Sequence, residues 1–153
     1  MAKGAGTTRN SSAASPNGVG TQAMAATGGG YQPLSKFYDT YYKEFDSYRL
    51  LDNYYHGLEN IKKQEGYLAD YEKKAISGNI MKRAENKIYA EDIRKTIQSV
   101  KNNNKDILHI LGERGVTDDI IKEHGGKYRY DAQEKSFNKK ILKKYGVDLS
   151  KKS

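Results

Sequence analysis

Residues 34–111 read LSKFYDTYYKEFDSYRLLDNYYHGLENIKKQEGYLADYEKKAISGNIMKRAENKIYAEDIRKTIQSVKNNNKDILHIL, and the spacing of their apolar side chains decides the fold. Leu34, Phe37, Tyr38, Tyr41, Tyr42, Phe45 and Tyr48 recur every three or four positions, which places them on one side of a helix. Ser35 offers the hydroxyl of an N-cap. The stripe continues through Leu51, Tyr54, Tyr55, Leu58 and Ile61 to Leu68, Tyr71, Ala75 and Ile76. At about 100° per residue its centre drifts around the helix, so this arm either supercoils or breaks. Gly57 and Gly66 are the break points, since a glycine inside a helix costs about 1 kcal/mol against alanine.

Ser77-Gly78-Asn79 punctuates the stretch: Gly78 suits the left-handed conformation that closes a helix, and Asn79 caps the next one. The second arm carries Ile80, Met81, Ala84, Ile88 and Tyr89. From Ala90 it tightens to heptad spacing through Ile93, Ile97, Val100, Asn104, Ile107 and Leu111. Before Tyr89 the apolar residues lie on nearly the opposite side, so the arm either touches two neighbours or kinks near Ala90. The expectation is an all-α chain built on a long antiparallel helical hairpin over residues 34–112.

Residues 1–33 precede it and are rich in Gly, Ala, Ser, Thr and Asn, with Lys3 and Arg9 as their only charges. Such a segment buries too little apolar surface to offset its ordering entropy, which predicts a disordered tail. Neither Gly4-Ala5-Gly6 nor Gly28-Gly29-Gly30 follows a strand or precedes Gly-Lys-Ser/Thr, so neither is a phosphate loop.

Residues 113–153 are read as short helices. The asparagines of Lys101–Lys105 are poor helix formers and end the second arm early in this reading, leaving Asp106 to cap a short Ile107–Leu111 helix closed by Gly112. Thr117 caps the next helix, Asp118 and Asp119 complement its dipole, and Gly125 ends it. Lys127-Tyr128-Arg129-Tyr130 alternates like a short extended piece. Asp131 and Glu134 form a capping box for a final helix that runs to Tyr145 with Gly146 past its end. On that helix Phe137, Ile141, Leu142 and Tyr145 share one side, with Lys135, Lys139, Lys140, Lys143 and Lys144 on the other.

The charge is placed unevenly. Residues 122–153 hold ten basic and four acidic side chains, an excess of six out of the net +8 of the 153-residue chain. Those five lysines are therefore the candidate polyanion-binding residues; lysine favours loose phosphate attraction over base reading. With thirteen Tyr, three Phe and no Trp, the aromatic complement suits half-buried seams. Phe37, Tyr38, Tyr41, Tyr42, Phe45, Tyr48, Tyr54 and Tyr55 are either the bundle's own wall or a docking surface for another protein.

Several classes are argued against. Without cysteine there is no disulfide, thiolate zinc site or cysteine nucleophile. No apolar run approaches the roughly 20 residues needed to span a bilayer, and no apolar segment follows Lys3 as in a secretory signal, which argues against a membrane partner. His56, His109 and His124 show no metal-binding spacing, and the Asp118–Asp119 pair lacks a third ligand. No catalytic residue, metal, cofactor or small-molecule substrate is inferred.

The opening Met-Ala-Lys-Gly-Ala-Gly-Thr-Thr-Arg and its Ser/Ala-rich continuation resemble the starts of uncharacterised proteins of bacteriophages and mobile elements of gut bacteria. The resemblance implies a phage accessory or virion-associated protein, in the host cytoplasm or the virion, and identifies no functional residue. The functional expectation is a non-enzymatic assembly or adaptor protein that binds another protein or itself. The alternatives are a nucleic-acid binder using the Lys-rich helix and an inhibitor of a host enzyme.

Overall fold

The computed structural model describes residues 30–127 and 132–152, and every regular element among them is helical. A short helix α1 (Phe37–Thr40) and a 3-10 turn (Tyr42–Glu44) lead into two long helices, α2 (Ser47–Lys74) and α3 (Ile80–Glu113). Then come α4 (Asp118–His124) and α5 (Glu134–Tyr145). α2 and α3 pack antiparallel as the hairpin that the periodicity predicts, and the local signals that bound them hold. Gly78 sits at φ +83°, Asn79 accepts from the Lys82 amide at 2.9 Å, and Thr117 caps α4. Gly125 and Gly146 end α4 and α5 in the left-handed conformation.

Three expectations need correction. The first arm does not run unbroken from Leu34. Asp46 accepts from the Arg49 amide at 2.8 Å and starts α2 there, while Ser35 bonds the Phe37 amide of the separate turn α1. The glycines do not break α2, which is continuous across both. A Cβ on Gly57 would lie 2.5 Å from Oδ1 of Asn104, whereas one on Gly66 would meet nothing within 4 Å. Gly57 is thus where the Asn104 side chain of α3 lies against α2. The asparagine run does not end α3 either: Asn104 is buried and donates to the Tyr54 carbonyl at 3.2 Å, holding the helices together at that crossing.

The core is confined to one end. Tyr48, Leu50, Leu51 and Tyr54 from the start of α2 meet Ile107, Ile110 and Leu111 from the end of α3. Tyr38, Val116, Ile120, Ile121, Phe137, Ile141 and Leu149 complete it. Each fully buried aliphatic side chain contributes about 1.5–3 kcal/mol, so most of the stability resides in this base. The base is tied at its margins. The Tyr48 amide donates to the Leu149 carbonyl at 3.1 Å. Arg114 donates to the carbonyls of Phe45 and Lys43 at 2.7 and 3.0 Å.

Beyond the base the hairpin continues as a slender arm, with about 20 residues of α2 protruding about 30 Å. Ala75, Ala90 and Ile97 are its buried residues, and Arg94 bonds Glu72 across the two helices at 2.7 Å. Of the tail expected over residues 1–33, residues 1–29 lie outside the described residues. Tyr31 does not belong to a tail, because its hydroxyl is bound to Asp106. The extended reading of residues 128–130 and the Asp131 cap also fall outside the described residues.

The two glycines separate helix propensity from packing. Gly66→Ala is expected to stabilise by about 1 kcal/mol. Gly57→Ala is expected to destabilise by about 1–2 kcal/mol, because Asn104 must leave the Tyr54 carbonyl to make room. Urea unfolding of the two variants beside the parent chain measures both signs.

Candidate docking surfaces

The aromatic cluster is built mostly into the base. Tyr38, Tyr48 and Tyr54 are buried, and Phe37, Tyr42, Phe45 and Tyr55 are half-buried. Tyr41 alone of the eight candidates is exposed, at 53%. Tyr55 donates to the Ile121 carbonyl at 2.6 Å, and its ring stacks on that of His124 at 5.3 Å. These residues serve as the wall of the fold. Tyr41 and the outer edges of Phe37, Tyr42, Phe45 and Tyr55 remain accessible to solvent.

The most polar buried cluster lies beside them and was not legible in the sequence. Asp106 is fully buried in α3. Its carboxylate accepts from the Tyr31 hydroxyl at 2.5 Å, the Leu34 amide at 3.0 Å and the Ser35 amide at 2.7 Å. The Tyr31 ring stacks face to face on His109, centroids 3.8 Å apart. His109 Nε2 lies 3.4 Å from Glu113, and its Nδ1 has no hydrogen-bond partner among the described residues. Both carboxylate oxygens are occupied by donors, and Asp106 is closed to solvent. Among the described residues no group of three His, Asp or Glu side chains could hold a metal ion.

Burial sets the ionisation of the base. Tyr31 is held well above the ordinary tyrosine value of 10.0, first by burial and then by its bond to Asp106. Tyr38 is pushed up to about 12, again chiefly by burial, and Tyr42, Tyr54 and Tyr55 are raised for the same reason. His124 is fully buried, and burial lowers it below 6.5. Its Nδ1 accepts from the Gly126 amide at 3.1 Å, a bond that only the deprotonated nitrogen can make.

The five lysines of α5 are all exposed, but they do not share one side: Lys135, Lys139 and Lys143 lie away from buried Phe137 and Ile141, as does Leu142, 48% exposed, whereas Lys140 and Lys144 border the buried side. Glu123 of α4 takes Lys144 in a short hydrogen bond and Lys140 at 3.7 Å. The Lys144 ammonium holds the Glu123 carboxyl below its usual range. Lys135, Lys139 and Lys143 have no ion-pair partner among the described residues. The patch is therefore weaker than five free cations.

A third surface lies at the far end of the arm, and sequence reasoning had not singled it out. Ile76, Ile80, Met81 and Ile88 are 79, 74, 83 and 62% exposed. Met81 and Ile88 are seven residues apart, on the side of α3 that faces away from α2. The signal was present as the change of face before Tyr89. Periodicity alone does not say which of two faces finds a partner. Comparison with known protein families, with curated proteins and with solved structures finds no match to this chain.

These ionisation states predict a pH window. A tyrosine whose folded pKa is raised favours folding fully below the unfolded value, so stability is lost as pH rises beyond about 10. His124, lowered on folding, favours the folded state above about 6.5, and stability is lost as pH falls below that. Chemical unfolding across pH is expected to give a plateau between those limits. Phenolate absorbance should show the buried tyrosines ionising only as helical circular dichroism is lost; full titration of all the tyrosines in a folded chain would contradict it.

Proposed function

We propose that the chain is a non-enzymatic adaptor whose self-supporting base carries a protruding arm, and that the end of this arm docks. The observation that carries this reading is the distribution of uncovered apolar side chains. In the base the most exposed large apolar side chains, Leu34, Tyr41 and Leu142, are about half covered, while Ile76, Ile80, Met81 and Ile88 gather toward the far end of the hairpin at 62–83% exposure. Leaving four large aliphatic side chains in water forgoes about 1.5–3 kcal/mol each, which a bound surface recovers. This reading puts the docking element on the arm and gives the half-buried tyrosines mainly a structural part. The phage accessory or virion-associated context belongs to the same proposal. No helix among the described residues is long and apolar enough to cross a membrane.

A second reading rests on Lys135, Lys139 and Lys143, exposed and without acidic partners among the described residues. They would give α5 loose affinity for a nucleic-acid backbone at the end of the molecule remote from the arm. An adaptor with two separated ends accommodates both.

The arm is tested by charge. Replacing Ile80, Met81 and Ile88 together by Glu is expected to leave helical content unchanged and to move unfolding free energy by no more than about 0.5 kcal/mol per site. The same variant is expected to retain no partner in a pull-down from the native source. Identical recovery by parent and variant would remove the arm from the function. For α5, five Lys→Gln substitutions are expected to abolish any binding to DNA or RNA that weakens steeply with salt; unchanged binding would end that reading.

A further inference from the structure

The end of the arm combines two features that point to one kind of partner. Ile76 and Ile80 flank the Ser77-Gly78-Asn79 reversal, with Met81 beside them, and the three are at least 74% exposed. Ile80 and Met81, with Asn79, Lys82, Arg83 and Glu85, line only a shallow depression open to solvent at the start of α3. Around the aliphatic side chains stand Lys73, Lys74, Lys82 and Arg83, and from position 73 to 84 the chain has no Asp or Glu. Glu85 is the next acid on α3 and lies 3.8 Å from Lys82. Set back from the tip, the rings of Tyr71 and Tyr89 pair across the arm at 5.3 Å.

From this we infer that the tip of the hairpin binds the surface of an anionic lipid bilayer, with its aliphatic side chains entering the headgroup–acyl boundary and its basic collar meeting the headgroups. The inference rests on the docking role of the arm. Each layer fits a different depth. Aliphatic side chains enter about 5–10 Å. Lysine and arginine stems extend back to the phosphates. Tyrosines settle at the interface. A nucleic acid would satisfy the collar and leave three aliphatic side chains in water. A second copy would bring two clusters of four cations together. Contact with one leaflet does not require a helix able to span it.

Flotation of the full chain with vesicles tests this, using phosphatidylcholine alone and phosphatidylcholine with about one-third phosphatidylserine. Binding is expected on the anionic vesicles, reversible and at least about tenfold weaker on the neutral ones. The Ile80→Asp/Met81→Asp variant and the Lys73→Gln/Lys74→Gln/Lys82→Gln/Arg83→Gln variant should each lose about tenfold in affinity. The variant with all five α5 lysines changed to Gln should keep most of it. The chain has no tryptophan, so Met81→Trp reports on the tip alone, and its emission should shift to the blue on anionic vesicles. Circular dichroism checks that each variant is folded.

No binding to anionic vesicles overturns the inference, as does equal binding by the tip aspartate variant or loss only in the α5 variant. A blue shift that follows protein concentration without vesicles points to a second copy and also overturns it. If vesicles fail while retention of a protein partner still depends on Ile80, Met81 and Ile88, the adaptor reading survives with a protein at the tip. If both fail, both fall.

Discussion

A carboxylate with no exposure to water governs how the base closes. Asp106 sits two turns before the C-terminal end of α3, buried where an unpaired charge would cost several kcal/mol. Its oxygens are satisfied by the Tyr31 hydroxyl and by the amides of Leu34 and Ser35. Those donors come from more than 70 residues earlier in the chain. The bond set therefore fixes where the incoming segment crosses the hairpin, and Tyr31 is laid flat on His109 as a result. Once that segment is placed, α1 and the 3-10 turn must follow over the same end. Arg114 then binds their last carbonyls from the far end of α3. Two polar anchors about two turns apart on one helix thus hold the whole entry to the fold.

The parts of this architecture that were legible in advance are those that depend on near neighbours. Asn79, Thr117, Gly125 and Gly146 act within a few residues of themselves, and each does what its chemistry predicts. The heptad from Ala90 to Leu111 likewise identifies the face of α3 that meets α2. What failed was read from composition without knowledge of a distant partner. Gly57 looked like a helix breaker, because its reason for being glycine lies on Asn104, 47 positions later in the chain. The asparagine run looked like a terminus, because the Tyr54 carbonyl that satisfies Asn104 was out of view. The stripe from Leu34 to Tyr48 had helical spacing, yet the Asp46 cap interrupted it, and the chain used those rings to cover a core end instead of extending a rod.

The same logic explains why the surface at the arm's end was visible only as an irregularity. A sequence records that Met81 and Ile88 are apolar and share a side. It does not record that α2 stops facing that side, or that the base lies too far away to cover it. Conversely, the tyrosines carried a strong compositional signal, yet Tyr38, Tyr48 and Tyr54 are buried in the core. Abundance of an interface-prone residue type is a poor guide where the fold itself has open seams to fill.

Separating a stable base from a thinly packed arm has a consequence for dynamics. The arm's helices meet through small residues such as Ala75 and Ala90 and through the Arg94–Glu72 pair, which is about half exposed and so adds little. Local opening free energy should therefore fall from the base toward Gly78. The base remains folded regardless, because none of its core residues comes from the distal half of the hairpin. Any surface that covers Ile76, Ile80 and Met81 binds the helical form of the tip and not the frayed one, so occupancy raises the stability of the arm by mass action. Order at the tip and engagement of a partner are then two aspects of a single equilibrium. The rigid base supplies the fixed root against which that equilibrium acts.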